Sequence, residues 1–222
     1  MGDLAVVLLG PSETTGRVAP QLGPDAVPAA DAGGVADRAA VVGVATEPWP
    51  AFTADHEGVR AAVAPAPYFA VQAWHRHPAY LDRLASALER ARTVTGEDVH
   101  VLFTAPGPRT EPAPEEVVFL RETAEAVSGH VGVRHRSIAW TSGVQGPSSL
   151  TALTALVEAH GRRAVVRCSL DPLARPDGVA DEAAALGLEL TDASLDPGEL
   201  PAVLAAVVAT VAEHEHLGVG GR

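Results

Sequence analysis

The chain has 222 residues, of which 47% are hydrophobic and 20% are charged, and 16 basic against 28 acidic side chains give a formal net charge of -12 at pH 7. The ordinary apolar fraction excludes disorder over the whole length, and the length suffices for one large or two small domains. Nucleic acid is not an expected partner, because phosphate binding requires a basic face.

Short apolar runs rich in Val alternate with longer segments of helical period. This alternation is typical of parallel strands joined by crossover helices. The apolar runs are continuous, as in strands of a sheet that is covered on both faces. Strands are predicted at Leu4–Leu9, Ala39–Ala45, Val59–Ala64, Val99–Thr104, Val133–Trp140, Arg163–Cys168 and Leu188–Thr191.

The helical segments carry recognisable start and stop signals. Pro78 begins the first, which carries an apolar stripe and is expected to face a sheet. Ser148 precedes the third as a capping residue, and Gly161 is expected to end it. Residues 20–38, rich in Pro, Gly, Ala and Asp, are expected to form a loop or linker, and so are residues 105–114. Helices are predicted at Pro78–Val94, Pro114–Ser128, Ser148–His160, Asp177–Leu186 and Pro197–His214.

A faint internal repeat suggests how these elements are arranged. Val6–Pro11 and Val101–Pro108 both run a buried strand into a Gly-Pro turn. The predicted fold is therefore α/β, with two similar parallel-sheet halves covered by helices, and both turns are expected to face one cleft at the carboxyl ends of the strands. The predicted division is a shortened amino-terminal half at 1–75, an interdomain helix at 76–96, a carboxyl-terminal half at 97–216 and a tail at 217–222.

Cysteine content and apolar segments indicate the compartment. Cys168 is the only cysteine, which excludes an intramolecular disulfide and any metal or iron-sulfur site built from a cysteine cluster, so it is expected to be an inert packed thiol. The start of the chain lacks a basic region and is interpreted as a strand rather than a signal peptide. The most apolar segment, Leu200–Ala212, is shorter than the about 20 residues that span a bilayer. We expect a cytoplasmic protein without a transmembrane segment.

Several segments between about residues 70 and 215 occur in the order known from one enzyme family. One of them contains Trp74-His75-Arg76-His77-Pro78, and another joins a Phe-Thr-Ala strand to a Pro-rich loop. The segments are Ala73–Leu81, Val101–Pro108, Glu122–Val127, Ile138–Gly143 with Gly146-Pro147, and Gly187–Leu190. Together they resemble ferrochelatase, which inserts ferrous iron into a porphyrin. The resemblance implies a chelatase-like fold and a flat ligand of the porphyrin or haem type.

The departures from that family concern its catalytic residues. Pro106 occupies the position where the resemblance implies a proton-accepting histidine. After the strand at Arg163 the chain reads Ser169–Pro176, in which the family's glutamate has no counterpart. Because a positioned base is needed to remove the pyrrole protons, we expect a tetrapyrrole-binding homologue with impaired or lost metal insertion.

The predicted ligand cleft combines the two Gly-Pro turns with aromatic residues after strands. An aromatic face and a hydroxyl are suited to hold a flat ligand, although the more ordinary role of Trp140 is to close the core and Trp49 can equally pack inside. The predicted cleft residues are Pro11, Ser12, Trp49, Pro106, Gly107, Trp140, Ser142 and Gly143.

Histidines supply the candidate metal ligands. His75 and His77 lie just before a helix at a spacing that can bring both imidazoles near one divalent ion. The alternative is that they cap the Pro78 helix or pack under Trp74, because two histidines alone make an incomplete site. Asp55-His56-Glu57 and Glu213–His216 are expected to be solvated, with His130 and His135 in surface roles.

Three further functions stay open at this point. The first is an active divergent chelatase that uses His75, His77 or another base. The second is a repurposed enzyme acting on a non-porphyrin metabolite, because a fold alone does not fix chemistry. The third is a noncatalytic subunit that acts with a protein partner.

Overall fold

The computed structural model describes residues 4–47, 55–106, 114–141, 147–173 and 177–215, with the backbone alone for residues 114–117. The chain divides into two units, of which the first comprises Met1–Ala79 with Pro197–Arg222 and the second Tyr80–Asp196. Each unit contains a four-stranded parallel sheet. Among the described residues, no helix has the length and apolar character needed to cross a membrane.

The sheet of the first unit has the strand order β2-β1-β3-β4. All six residues of β1 and of β3 are buried, as expected for central strands covered on both faces. The strands are β1 (Leu4–Leu9), β2 (Ala26–Pro28), β3 (Ala40–Ala45) and β4 (Tyr68–Val71). The helices of this unit are α1 (Ser12–Leu22), a 3₁₀ helix (Ala29–Val35), α2 (His56–Ala62), a 3₁₀ turn (Pro197–Glu199) and α7 (Leu200–His214).

The sheet of the second unit has the order β6-β5-β7-β8, again with every pair parallel. Its strands are β5 (His100–Ala105), β6 (Arg136–Trp140), β7 (Ala164–Ser169) and β8 (Glu189–Asp192). Its helices are α3 (Pro78–Thr95), which belongs to this unit from Tyr80 onward, α4 (Pro114–Val131), α5 (Ser149–Glu158) and α6 (Val179–Ala185). The α/β class with two helix-flanked parallel sheets is thus confirmed.

Helices α3 and α5 follow their sequence signals. The stripe predicted for α3 is buried at Tyr80, Leu84, Ala85 and Leu88, whereas Leu81 is half-buried. Ser148 caps α5, because its side-chain oxygen accepts the amide proton of Thr151 at 3.1 Å. Helix positions with an apolar stripe and a capping residue were therefore predicted to within a few residues.

The predicted strand at Val59–Ala64 is wrong, because these residues belong largely to α2. The Asp55 carboxylate accepts the amide proton of Gly58 at 2.7 Å and so starts a helix just before the apolar run. Within α2 only Val59 is buried. A short apolar run does not by itself distinguish a strand from a helix, and here the capping carboxylate decides.

The predicted loop at residues 20–38 is also corrected. This segment contains the end of α1, the short strand β2 and a 3₁₀ helix. Strand β2 pairs with β1 in register, with Val27 opposite Val7, and Ala32 and Val35 are buried in the core of the first unit. Ala and Val residues of this segment therefore pack into the core, although the segment shows no helical or strand periodicity.

Candidate functional site

The carboxyl ends of β1, β3 and β4 lie side by side in the first unit. Leu9 of β1 is the register partner of Ala45, and Val44 is that of Val71. Open parallel sheets bind ligands beyond the carboxyl ends of their strands, so the segments that follow these strands are candidates for a ligand site.

The turn between β1 and α1 has an uncapped helix N-terminus. Pro11 occupies the N-cap position and offers no side-chain acceptor, and the first amide bonded within the helix is that of Thr15, which donates to Pro11 O at 3.0 Å. The amides of the first turn before Thr15 therefore have no intrahelical acceptor. Pro11 and Ser12 are exposed, as is Gly10, so the predicted cleft residues of this turn are accessible.

Thr46, directly after β3, carries a buried hydroxyl that lacks a hydrogen-bond partner in the described structure. The residue is 0% exposed, and its amide donates to Leu9 O at 2.8 Å. A methyl group added at Gly10 would stand 2.2 Å from Thr46 Oγ1, and the φ of Gly10 is +148°. Gly10 is therefore required both by the backbone conformation and by the approach of this hydroxyl.

Trp74 and the two neighbouring histidines follow β4. The Trp74 indole donates to Ala45 O at 2.8 Å and is 3% exposed, so it fixes the carboxyl end of β3. His77 Nδ1 accepts the amide proton of Ala79 at 3.3 Å, and its Nε2 lies 3.0 Å from Thr210 Oγ1. Burial lowers the pKa of His77. This geometry supports the capping role that the sequence left open for His77.

The proposed metal pair stays a prediction. His75 is 5% exposed, whereas His77 is half-buried. Within the described parts of the chain, no cluster of three or more His, Cys, Asp or Glu side chains is arranged to hold a metal ion.

The second unit presents another set of strand ends. Pro106 follows β5 and is half-buried, and Trp140 at the end of β6 is 9% exposed. The Trp140 amide donates to Pro147 O at 3.0 Å, and the Thr141 amide donates to Ala105 O at 2.9 Å. Trp140 is thus largely packed inside, which fits the core role considered for it. The predicted cleft residues Trp49, Gly107, Ser142 and Gly143 lie outside the described residues.

A buried carboxylate lies beyond the end of β7. Asp171 is 3% exposed, and its Oδ1 accepts the amide proton of Leu173 at 3.1 Å. The fully buried Tyr80 hydroxyl donates to Leu170 O at 2.8 Å. Burial raises the pKa of Tyr80 well above its usual range, and the nearby Cys168 and Asp171 raise it further. Tyr80 is therefore a neutral hydrogen-bond donor, and the Cys168 thiol, whose pKa burial raises to about 12, is likewise uncharged.

Arg167 connects three segments at this edge, although sequence reasoning did not single it out. Its Nε donates to Thr104 Oγ1 at 3.2 Å, one terminal nitrogen donates to Asp192 at 3.2 Å, and the other is paired with Asp177. Its side chain is 11% exposed. A charged residue inside the apolar run of β7 was the available signal, because such residues are rarely buried without partners.

His56 is half-buried, which corrects the solvated turn expected for Asp55-His56-Glu57. Its Nδ1 lies 2.6 Å from the Tyr68 hydroxyl, and Gly43 leaves room for that hydroxyl, since an added methyl would stand 1.8 Å from it. Burial chiefly lowers the pKa of His56, and the charge of Arg60 lowers it further. This pair joins α2 to β4 and packs against β3.

No family model matches the sequence, and no curated protein matches it. Among solved structures, the chain is similar to CbiX, described as the terminal enzyme for biosynthesis of sirohaem in denitrifying bacteria. The identity is 19%, the TM-score is 0.57, and the match covers 93% of this chain and 98% of that one. An uncharacterized protein from Actinobacillus succinogenes matches with 9% identity and a TM-score of 0.47, over 100% of this chain and 94% of that one. The chain therefore shares the fold of CbiX over nearly its whole length.

Proposed function

We propose that this protein binds a tetrapyrrole and inserts metal into it poorly or not at all. The observation that carries the proposal is the fold, which is shared over 93% of the chain with an enzyme of sirohaem biosynthesis. Sirohaem is an iron-containing cyclic tetrapyrrole. The sequence supports the same ligand class, because several of its segments resemble ferrochelatase segments and occur in the same order along the chain.

The chemistry of metal insertion explains the second half of the proposal. A divalent metal, the second substrate, replaces two pyrrole protons, so a neutral imidazole or a carboxylate must accept them at hydrogen-bond distance. At the end of β5 the chain has Pro106, which has no basic side chain. Losing a positioned general base typically costs a factor of about 10² to 10⁴ in rate.

Among the described residues near the strand ends of the second unit, two polar side chains are engaged in contacts within the chain. Asp171 accepts the Leu173 amide proton, and Thr104 accepts a hydrogen bond from Arg167. Asp171 is also only 3% exposed, whereas a general base must lie within hydrogen-bond distance of the proton that it accepts. These contacts support slow or absent metal insertion.

Two measurements on the purified full chain test the proposal. Titration of coproporphyrin with the protein should shift the porphyrin absorbance band and saturate. Zinc insertion into the same porphyrin should run at least about a hundredfold more slowly than with a histidine-bearing homologue. If the absorbance band does not change, the tetrapyrrole proposal is refuted. Turnover comparable with that of a histidine-bearing homologue would refute the loss of metal insertion.

A further inference from the structure

The β1–α1 turn combines two groups of unsatisfied hydrogen-bond donors in the first unit. The first group is the set of amides at the start of α1, whose N-cap residue Pro11 supplies no acceptor. The second is the hydroxyl of Thr46, which is buried and has no partner among the described residues. The two groups belong to neighbouring strand ends, because Leu9 and Ala45 are paired in register.

The Thr46 hydroxyl points at the turn itself. Thr46 Oγ1 is the heavy atom nearest to the position that a side chain on Gly10 would take, at 2.2 Å. Gly10 directly precedes Pro11, so the hydroxyl lies at the base of the turn that leads into α1. A glycine at this point allows the hydroxyl to approach the backbone of the turn closely.

An anion fits this arrangement better than a neutral group. Amides at a helix N-terminus carry a partial positive charge and point outward, and helix N-termini are common anion sites. A buried hydroxyl without an acceptor costs stability, and an acceptor brought by a ligand would remove that cost. The residues of the turn from Gly10 to Glu13 are exposed, so a ligand can reach the amides.

We propose that this turn holds a carboxylate of the bound tetrapyrrole, with the amides of Ser12, Glu13 and Thr14 and the hydroxyl of Thr46 as donors. The inference rests on the proposed function and adds the group of the ligand that is recognised. Tetrapyrroles with acetate or propionate side chains therefore bind, and analogues without free carboxylates bind less tightly. Thr46 and the α1 amides determine this specificity.

The experiment compares two porphyrins on three proteins. The probes are coproporphyrin I, with four carboxylates, and its tetra-amide, in which neutral amides replace them. The proteins are the wild type, Thr46→Val, which replaces the hydroxyl with a methyl group, and the matched control Thr93→Val on the exposed side of α3. Affinities come from absorbance titrations, and the melting temperature of each protein is measured in parallel.

The expected pattern separates recognition from folding. The wild type binds coproporphyrin at least tenfold more tightly than the tetra-amide. Thr46→Val weakens coproporphyrin binding by about tenfold, as expected for a hydrogen bond to a charged group, and changes tetra-amide binding by less than about twofold. Its melting temperature is not lower than that of the wild type, because the lost hydroxyl had no partner. Thr93→Val changes neither affinity.

Other outcomes overturn the inference in distinguishable ways. Equal wild-type affinities for the two porphyrins, or an equal loss for both in Thr46→Val, would refute carboxylate recognition at this turn and leave the proposed function intact. A fall in melting temperature together with that equal loss would show that Thr46 is merely structural. If neither porphyrin binds the wild type, the proposed function fails and this inference falls with it.

Discussion

Replacing Arg167 with Met should destabilise the second unit by about 3 kcal/mol. The substitution keeps an unbranched stem and removes the guanidinium that contacts Thr104, Asp177 and Asp192. Removing one partner of a buried ion pair costs about 3–5 kcal/mol, because the other charge stays buried without compensation. We expect a loss at the lower end of this range, because the Asp192 side chain is 51% exposed and only the Asp177 side chain, at 14%, is well buried.

The assay is urea unfolding followed by far-UV circular dichroism. Since domains have total stabilities of about 5–15 kcal/mol, a loss of this size shifts the midpoint clearly. Arg163→Met is the matched control, because Arg163 is exposed just before β7, and it should change stability by no more than about 0.5 kcal/mol. Adding Asp177→Asn to Arg167→Met should recover part of the loss by removing the uncompensated carboxylate.

Equal stabilities of Arg167→Met and Arg163→Met would refute the reasoning. That result would mean that the desolvation cost of the arginine balances its contacts, as happens when a buried ion pair is replaced by apolar side chains. No recovery with Asp177→Asn would show that the loss arises from the missing hydrogen bonds of the guanidinium and not from an uncompensated charge on Asp177. The comparison therefore tests the electrostatic cause as well as the size of the effect.

Three further predictions concern other parts of the chain. Gly43→Ala should cost about 1–3 kcal/mol of unfolding free energy, and much less in a Tyr68→Ala background, because the added methyl meets the Tyr68 hydroxyl at 1.8 Å. Burial, with the charges of Arg162, His135 and His160, lowers the pKa of His100 to about 4, so the unfolding free energy should fall as the pH drops from 6.5 to 4. This fall should be smaller in His100→Gln, and an unchanged pH profile would contradict the assignment. Glu13→Gln should tighten coproporphyrin binding about twofold at low salt, with no difference at high salt, because an exposed like charge is removed from the first turn of α1.

Sequence patterns predicted the central strands well, because burial on both faces leaves a continuous run of apolar residues. Strand β1 was placed at its observed bounds, and β3, β5 and β7 to within one residue at each end. The half-buried strand β4 was missed, since Tyr68–Val71 is a short segment whose register with β3 is set by tertiary pairing. Helix α1 was missed as well, because Gly16 and Pro20 lower its intrinsic helix propensity.

Some residues of the candidate site can be recognised from the local sequence, and others only from contacts that the fold creates. The Gly-Pro turn after β1 is a local signal, and the sequence alone indicates Pro11 and Ser12 through it. Thr46 gives no such signal, because what distinguishes it is a hydroxyl brought against Gly10 from a neighbouring strand. Arg167 is visible in the sequence as a charge within an apolar strand, yet its partners Asp177 and Asp192 are recognisable only in the fold.

The polar side chains described at the strand ends differ between the two units in whether they have hydrogen-bond partners, and this difference links the two proposals. At the strand ends of the second unit, Thr104 and Asp171 already serve as hydrogen-bond acceptors within the chain, and Pro106 has nothing to contribute to proton transfer. At those of the first unit, Thr46 retains a donor whose burial costs stability and which no described residue satisfies. A group kept at such a cost is expected where a ligand completes it. Ligand binding needs only donors that match the ground state of the ligand, whereas metal insertion also needs a base. A protein with such donors and without a positioned base can therefore bind a tetrapyrrole without inserting a metal into it.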